Sequence, residues 1–225
     1  MTHPPHSFAG VRILIFDLDG TLIDSKLDLA HAVNAALVHL GRPRLDHEII
    51  FSFVGNGAPV LVRRALGQGA TDEECARALD FFLSYYRAHM LDNTRPYPGV
   101  REGLAVLASR PMAVLTNKPV NFSRAILDGL GLSPFFRVIY GGNSFEKKKP
   151  DPCGVDAILR DFAGEHHEAM MVGDSDVDIL TARNAGIWAA AVSYGIGAHT
   201  LAAHPPDLML GSLTELPERL EGKAG

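Results

Sequence analysis

The chain has 225 residues, of which 47% are hydrophobic and 21% charged, a composition typical of a folded globular protein. Its 21 basic and 26 acidic side chains give a net charge of −5, the wrong sign for binding nucleic acid or an anionic membrane by simple attraction. The two cysteines, Cys75 and Cys153, form no disulfide framework, and no apolar segment reaches the roughly 20 residues that a membrane-spanning helix needs. Residues 1–10 lack the pattern of a signal peptide, so we expect a loose tail and a cytoplasmic protein.

Short aliphatic segments recur along the chain, and the first of them, VRILIFD, begins at Val11. Apolar runs of this length that end in polar turns are typical of strands buried on both faces of a sheet. Because helical segments separate them, we predict an α/β fold, a Rossmann-like doubly wound parallel sheet with helices on both faces. The strands are predicted at 11–17, 112–116, 138–140, 169–173, 188–192 and 208–210, with helices at 100–108, 121–130, 155–162 and 177–185.

Residues 24–96 interrupt this alternation, because they contain amphipathic helical patterns and no convincing strand. One of these helices opens with Thr71 and Glu74, which have the spacing of a capping box. We therefore predict a helical cap over 24–96, inserted after the first strand of an α/β core formed by 11–23 and 97–221. Ligands of open α/β sheets bind beyond the carboxyl ends of the strands, so this insertion is positioned to be a lid.

The strongest chemical signal is the segment DLDGT, which starts with Asp17 at the end of the first predicted strand. Asp17 and Asp19 are two residues apart and point to the same side of the chain, and Gly20 permits a tight turn beside them. Two neighbouring buried carboxylates are costly unless a cation joins them or one keeps its proton, which suggests a metal together with an acid. A polar turn after a strand accounts equally well for this segment taken alone.

Three further strand ends carry groups that complement these carboxylates. Taken singly, each group has an ordinary explanation as a helix cap or a solvated charge. Four such features at four strand ends predict one shared polar site, because parallel strands bring their carboxyl ends to the same edge of the sheet. The additional groups are a hydroxyl, an amide, a lysine before a proline and three carboxylates: Thr116, Asn117, Lys149, Asp174, Asp176 and Asp178.

This succession of motifs resembles the haloacid dehalogenase-like superfamily of aspartate-dependent phosphatases, and the resemblance extends from Val11 to about Leu220. Within the superfamily, the chain is most similar to the phosphoglycolate phosphatases. That narrower resemblance rests on the segments FVGNG at Phe53, TNKP at Thr116 and Gly-Gly at Gly141. The chain departs from the family pattern at 176–177, where Asp and Val replace the more usual basic residue and asparagine.

The resemblance implies catalytic roles for several motif residues. Asp17 is expected to be the nucleophile that attacks phosphorus and forms an aspartyl phosphate. Asp19 is expected to protonate the leaving alkoxide and then to deprotonate the water that cleaves the intermediate. Thr116, Asn117 and Lys149 are expected to bind the substrate, with Thr116 and Lys149 contacting its phosphate.

The resemblance also implies a magnesium ion held by the carboxylates of Asp17 and Asp174 and by the main-chain carbonyl of Asp19. Asp178 is then expected to hold these ligands in position without contacting the ion. Elementary chemistry agrees with a hard cation at this place. A phosphate dianion and the Asp17 carboxylate repel each other, so an attack needs positive charge nearby. Oxygen ligands without an evident histidine or cysteine cluster favour Mg²⁺ over zinc.

The sequence therefore predicts a magnesium-dependent phosphatase for a small phosphate monoester, with 2-phosphoglycolate as the first substrate to test and carbohydrate metabolism as its setting. Asn56, Arg63, Arg64 and Lys118 are the candidates for binding the substrate carboxylate. The sequence indicates no nucleic-acid or membrane partner and does not predict the oligomeric state.

Four alternative functions share parts of this pattern. A sugar phosphate phosphatase or a phosphomutase would use the same scaffold and the same first step. A signalling receiver domain also combines acidic residues, a threonine and a lysine, but receivers are about half as long, lack a cap, and carry the accepting aspartate on the third strand. A dehalogenase of the same superfamily would need neither Asp19 nor a metal.

Overall fold

The computed structural model describes residues 8–222. Its strands are β1 (Ile13–Phe16), β2 (Ile23–Asp24), β3 (Arg95–Pro96), β4 (Met112–Leu115), β5 (Val138–Tyr140), β6 (Ala169–Gly173), β7 (Trp188–Val192) and β8 (Leu208–Leu210). Its helices are α1 (Lys26–His39), α2 (His47–Phe51), α3 (Ala58–Leu66), α4 (Asp72–His89), α5 (Val100–Val106), α6 (Val120–Gly129), α7 (Cys153–Phe162), α8 (Asp176–Ala185) and α9 (Leu216–Leu220).

Six strands form one parallel sheet in the order β5-β4-β1-β6-β7-β8. The central strand β1 is buried along its whole length, as expected for a strand covered on both faces. Phe16 at its end is in register with Val114 of β4 and with Val172 of β6. The residues that follow β1, β4 and β6 therefore meet at one edge of the sheet, and the predicted parallel α/β fold is confirmed.

Alternate residues of β1 belong to the two opposite faces of the sheet. Leu14 and Phe16 pack in a cluster with α5, α6 and α9, whereas Ile13 and Ile15 pack with α7 and α8. Helices thus cover both faces, which is the doubly wound arrangement. The first of the two clusters continues into the region between β2 and β3, so the helices there share an apolar interior with the sheet.

Four helices, α1 to α4, lie between β2 and β3. The capping box of Thr71 and Glu74 forms as predicted at the start of α4. One prediction for this region is wrong: β3 pairs antiparallel with β2 in a two-residue ribbon, with Ile23 opposite Pro96. So short a pairing leaves no alternating pattern in the sequence, and proline is tolerated in an edge strand. None of the helices within 8–222 is long and apolar enough to cross a membrane.

Asp28 ties the start of α1 to the segment before β3. Its buried carboxylate accepts hydrogen bonds from the main-chain N–H groups of Asn93 and Thr94, from the Asn93 amide and from the Thr94 hydroxyl. Burial raises the pKa of Asp28, but these hydrogen bonds outweigh it and leave the pKa below its usual value. The chain enters and leaves the helical region at two neighbouring points, and these are joined by the Asp28 hydrogen bonds as well as by the ribbon of β2 and β3. We call the hydrogen bonds from Asn93 and Thr94 to Asp28 the strut at Asp28.

The first described residues pack on the sheet rather than away from it. Phe8 is buried, and its ring meets that of Trp188 edge-on, with the centroids 5.3 Å apart. The loose tail predicted for 1–10 is therefore wrong at Phe8, since burying a phenylalanine side chain is worth about 2 kcal/mol. Residues 1–7, which the same prediction covered, lie outside the described residues.

Candidate active site

The turn after β1 places Asp17 at the edge where the strands end. Asp17 is buried, and its main-chain N–H donates to the Val172 carbonyl at 2.9 Å, so it extends the pairing of β1 with β6. Gly20 turns the chain with φ of +84°, and a Cβ at that position would lie 2.1 Å from Asp174 Oδ2. Glycine is required here both for its backbone conformation and for the close approach of the Asp174 carboxylate.

Lys149 joins two of the predicted carboxylates. Its buried ammonium lies 2.9 Å from Asp17 Oδ1 and 2.6 Å from Asp178 Oδ1. Burial lowers the pKa of Lys149, but the two carboxylates raise it further, so the pKa ends above its usual value and the side chain carries a positive charge. The cation predicted to contact phosphate thus lies beside the predicted nucleophile.

Asp174 and Asp178 follow β6 and are held by the main chain around them. Asp178 Oδ2 accepts hydrogen bonds from the main-chain N–H groups of Asp174 and Ser175 and from the Ser175 hydroxyl, at 2.8 to 3.2 Å. Asp174 accepts from the Gly197 N–H at 2.7 Å and from the Thr21 hydroxyl at 3.3 Å. Both oxygens of Asp178 are therefore occupied, by Lys149 and by the start of α8.

One oxygen from each of Asp17, Asp174 and Asp178 lies within 4.8 Å of the others, and all three side chains are buried. Lys149 is the one ammonium within this cluster of described residues. Asp17 Oδ1 has this ammonium as its one partner among the described residues. A buried carboxylate oxygen with a single ionic partner, beside a second carboxylate, belongs to a donor set that fits a hard divalent cation. Asp178 accepts three hydrogen bonds besides its pair with Lys149, whereas Asp174 accepts two, so Asp17 and Asp174 are the carboxylates more open to a metal.

The charges in this cluster perturb its titration. Burial raises the pKa of Asp17 to about 6, with Lys149 lowering it and Asp178 raising it. Burial also raises the pKa of Asp174 well above its usual value, and the neighbouring Asp178 and Asp17 charges raise it further. The cluster carries more negative charge than Lys149 neutralises, which is the condition under which a bound cation stabilises a site.

Asp19 lies at the other side of the turn and pairs with a lysine that follows β4. Lys118 Nζ is 3.0 Å from both carboxylate oxygens of Asp19, and the Ser25 hydroxyl also donates to Asp19 Oδ1. The same ammonium lies 4.6 Å from the centre of the Tyr86 ring. Burial lowers the pKa of Lys118, but Asp19 raises it above its usual value. The predicted general acid is therefore held against a buried cation.

Thr116 and Asn117 end β4, as predicted, beside the other motifs. Thr116 is buried, and its hydroxyl accepts a hydrogen bond from the Lys118 N–H at 3.3 Å. Asn117 Nδ2 donates to the Gly55 carbonyl at 3.1 Å and to the Lys149 carbonyl at 3.2 Å. The Asn117 amide thus links the helical region to the sheet, whereas its predicted contact with substrate stays a prediction.

A cavity of about 520 Å³, including its open mouth, lies between the sheet edge and the inserted helices. Its floor is polar and is formed by Asp17, Asp19, Thr116, Asn117 and Lys118. Its walls come largely from the inserted helices and are mainly apolar; they include Leu29, Leu61, Phe82, Leu83, Tyr86 and Phe122. The cavity therefore joins a charged floor to a largely hydrophobic roof.

Only one of the four candidates for binding a substrate carboxylate lines this cavity, and it is Lys118. Arg63 is exposed and pairs with Asp72 at 2.6 Å. Arg64 is exposed and lies 3.5 Å from a main-chain carbonyl. Asn56 contributes its own carbonyl to a contact with a surface lysine. Arg63, Arg64 and Asn56 do not line the cavity. The two arginines lie on the exposed side of α3, where long cationic side chains usually face solvent.

The departure from the family pattern at 176–177 lies outside the cavity. Asp176 begins α8, and its main-chain N–H donates to the Thr200 hydroxyl at 2.9 Å. The Val177 side chain is buried and neither residue lines the cavity. These two positions therefore contribute no contact to a molecule bound there.

Residues 14–192 match the protein-family model described as haloacid dehalogenase-like hydrolase. The chain belongs to this family. A protein from Pseudomonas savastanoi named phosphoglycolate phosphatase is 41% identical over 93% of this chain and 80% of its own length. A protein of the same name from Chromobacterium violaceum is 42% identical over 92% of this chain and 95% of its own.

Solved structures lead to the same family. The crystal structure of a "predicted phosphoglycolate phosphatase" from Haemophilus somnus superposes with a TM-score of 0.88 at 30% identity, covering 93% of this chain and 97% of that one. The predicted membership of the haloacid dehalogenase-like superfamily is confirmed, and with it the prediction that the chain is an enzyme. The polar sheet edge is accordingly the candidate active site.

Apart from Asp176, the motif residues predicted from the sequence lie together at the sheet edge, but two further residues of the site and one contact were missed. Lys118 was predicted as a carboxylate ligand, whereas its pairing with Asp19, 99 residues away, has no local signal. Ser25 directly precedes α1, where a hydroxyl ordinarily indicates a helix cap. Tyr86 lies on the apolar stripe of α4, where an aromatic residue ordinarily indicates a core position.

Proposed function

We propose that this hydrolase is a Mg²⁺-dependent phosphatase for a small phosphate monoester, and that 2-phosphoglycolate is its substrate. The observation that carries the proposal is the position of Lys149, whose ammonium contacts both Asp17 and Asp178 beside the carboxylate of Asp174. This arrangement supplies a buried nucleophile, a cation for phosphate oxygens and two carboxylates open to a metal. Asp19 lines the same cavity and supplies a carboxyl group for proton transfer.

The proposed reaction proceeds in two displacements. An Asp17 carboxylate oxygen attacks phosphorus while Asp19 gives its proton to the departing alkoxide oxygen, leaving an aspartyl phosphate. Asp19 then takes a proton from water, which attacks phosphorus and restores Asp17. Lys149 and the Thr116 hydroxyl bind phosphate oxygens through both steps, where positive charge and donors are most effective at stabilising the transferring group.

Magnesium would be held by Asp17, Asp174 and the Asp19 carbonyl, and when bound it supplies positive charge that offsets repulsion between the phosphate and Asp17. The main-chain donors on Asp174 and Asp178 hold these carboxylates in place before substrate arrives. The side chains above the floor are mainly apolar, so they offer water few hydrogen-bond partners beside the reacting groups. A less polar surrounding strengthens the electrostatic contacts within the site.

Two observations support 2-phosphoglycolate over larger esters. Relatives at 41% and 42% identity that align over most of this chain carry the name phosphoglycolate phosphatase. The walls of the cavity that face the floor are mainly apolar, so they offer few partners for the hydroxyl groups of a sugar. A sugar phosphate phosphatase or a phosphomutase is less compatible with that lining.

We further propose that α1 to α4 form a cap domain over 24–96, resting on a core of 11–23 and 97–221, and that the enzyme works in the cytoplasm. The ribbon of β2 and β3 and the strut at Asp28 lie at the base of the proposed cap. The two cysteines are free thiols, which suits a reducing compartment. Limited proteolysis that cleaves first near Asp24 or Arg95 would support this division.

The deciding experiment is a phosphate-release assay of the purified protein with Mg²⁺ over glycolate, sugar and nucleotide monoesters. We expect the highest kcat/KM for 2-phosphoglycolate and no release by an Asp17→Asn variant. A profile led by a sugar phosphate would overturn the substrate assignment and leave the phosphatase assignment intact. Phosphoryl transfer to a second sugar, rather than release of inorganic phosphate, would indicate a phosphomutase.

A further inference from the structure

Two of the polar groups of the cavity that the proposed reaction does not use lie together. The Lys118 ammonium is 4.6 Å from the centre of the Tyr86 ring, and both residues line the cavity. Lys118 comes from the turn after β4, whereas Tyr86 comes from α4 of the proposed cap. Their meeting point therefore lies between the catalytic floor and the hydrophobic roof.

The hydroxyl of Tyr86 has no well-directed hydrogen bond. The side chain is 1% exposed, and the polar group nearest to its Oη that affects its pKa is the ammonium of Lys118. A buried hydroxyl without a partner costs about 1–3 kcal/mol, so such groups in native proteins call for an explanation by a ligand or a water. Burial raises the pKa of Tyr86 to about 12, so the phenol keeps its proton and is available as a donor.

The ammonium of Lys118 also has spare capacity. Its two hydrogen bonds, both at 3.0 Å, go to the oxygens of Asp19. An ammonium has three N–H donors, so at least one is not committed to Asp19, and Tyr86 lies beside it. Lys118 is the single cation among the described residues that line the cavity. A negatively charged leaving group in the cavity can therefore pair with Lys118 and with no other cation of the described lining.

We infer that Lys118 and Tyr86 form an anion-binding pair that recognises the leaving group of the substrate, and that the enzyme selects phosphate monoesters carrying a carboxylate close to the ester oxygen. One carboxylate oxygen of the substrate would pair with Lys118 Nζ, and the other would accept a hydrogen bond from the Tyr86 hydroxyl. This inference rests on the proposed function, because it deepens the choice of substrate for the same site.

The position of the pair limits the length of the substrate. Lys118 contacts Asp19, which is only two residues from Asp17 and is the proposed proton donor to the ester oxygen. A carboxylate that reaches Lys118 while its phosphate lies on Asp17 must therefore be separated from the ester oxygen by few atoms. The apolar side chains around the pair, including Phe82 and Leu83, make a longer polar chain unfavourable.

The inference is tested by comparing 2-phosphoglycolate with its primary amide, which has nearly the same shape but no charge on the leaving group. Two single variants, Lys118→Met and Tyr86→Phe, remove one member of the pair each. Lys147→Met is the matched control, since Lys147 is 71% exposed in its side chain and pairs with Asp151 away from the cavity. The measured quantity is the ratio of kcat/KM for the acid to that for the amide.

We expect Lys118→Met to lower this ratio about 100-fold and Tyr86→Phe to lower it about tenfold, through KM for the acid. Any effect of Lys118→Met on Asp19 acts on both esters and cancels in the ratio. The Tyr86 side chain donates no hydrogen bond to Asp19, so we expect Tyr86→Phe to act mainly on KM for the acid and less on kcat. An unchanged ratio in both variants, or a wild-type enzyme that does not distinguish the acid from the amide, would overturn the inference.

Binding separates this inference from the proposed function. Titration calorimetry of both esters into Asp17→Asn protein measures affinity without turnover. Tighter binding of the acid than of the amide, by a factor that falls about tenfold when Tyr86→Phe is added, supports the anion-binding pair even if the wild-type protein releases no phosphate. Equal dissociation constants for the two esters contradict the pair even if the protein proves to be a phosphatase.

Discussion

Lys149 Nζ donates to Asp178 Oδ1 at 2.6 Å, and both side chains are almost fully buried. Removing the charge of Asp178 leaves Asp17 as the single carboxylate in contact with Lys149, and breaking a buried pair typically costs 3–5 kcal/mol. We expect Asp178→Asn to lower the free energy of unfolding by about 3 kcal/mol in urea titrations. The substitution should also lower kcat, since Lys149 would lose the charged contact with Asp178 that helps to hold its ammonium beside Asp17.

A matched control exists on the surface. Asp156 pairs with His166 at 3.3 Å, with about half of each side chain exposed. Because exposed pairs contribute little, Asp156→Asn should change the free energy of unfolding by less than about 1 kcal/mol. Equal effects of the two substitutions would show that the buried pair with Lys149 has no special importance for stability.

Replacing the proposed nucleophile should separate activity from folding. We expect Asp17→Asn to reduce phosphate release by on the order of 1,000-fold or more, because the attacking oxygen is lost. In metal-free protein near pH 8, the same variant should be at least as stable as the wild type, since a charge in a crowded acidic cluster is removed. Thermal unfolding in the presence of a chelator measures the second effect, and a large loss of stability would contradict it.

Divalent cation should stabilise the protein in a pH-dependent manner. The pKa of Asp17 is raised to about 6 in the folded protein, so between its usual value of 3.8 and 6 the folded state holds the extra proton. Without metal, this group therefore makes stability fall as the pH rises through that window. Mg²⁺ competes with the proton, so its stabilisation should be larger at pH 7.5 than at pH 5.

Melting temperatures with chelator and with excess Mg²⁺ measure this effect. A cation concentration 100 times the dissociation constant corresponds to about 2.7 kcal/mol of added stability. Asp174→Asn should abolish most of the increase, because it removes one of the two carboxylates open to the metal. If the melting temperature of the wild type is the same with chelator and with Mg²⁺ at both pH values, the proposed metal site is contradicted.

The strut at Asp28 should be a second source of pH dependence, with the opposite sign. Its pKa is held below the usual 3.8 by bonds from Asn93 and Thr94, so its stabilisation is present above that value and is lost as the pH falls through the lowered pKa. We expect Asp28→Asn to cost about 2 kcal/mol at pH 7 in urea titrations.

The exposed Asp80 on α4 offers a control for this substitution. Asp80→Asn changes the same charge on the inserted helices, and surface replacements away from specific contacts usually stay within about 0.5 kcal/mol. If the two variants unfold at the same urea concentration, the five hydrogen bonds on Asp28 do not stabilise the joint.

Much of the fold was predictable because its strands are buried on both faces. The predicted strands at 138–140, 169–173, 188–192 and 208–210 coincide with β5 to β8, since continuous aliphatic runs leave a clear signal. The ribbon of β2 and β3 has two residues in each strand and leaves none. The burial of Phe8 was missed for a related reason, because a single aromatic residue in a polar segment cannot form the alternating or helical hydrophobic pattern that indicates a buried face.

The clustering of the motif residues was predictable because parallel strands bring their ends together. The fold alone therefore places Asp17, Thr116 and Asp174 side by side. The partners of Asp19 and the lining of the cavity depend instead on contacts between distant segments. Lys118 and Tyr86 meet only when α4 covers the end of β4, and no spacing in the sequence encodes that contact.

The chain enters and leaves the inserted helices through one ribbon two residues long. Adjacent entry and exit points make the insertion exchangeable for another helical unit that is joined at the same two strands and covers the same apolar surface of the core. The proposed nucleophile, proton donor and metal ligands would remain after such an exchange, whereas Tyr86 would not. Selection can therefore alter the preferred ester in one part of the gene and leave the chemistry in the rest unchanged.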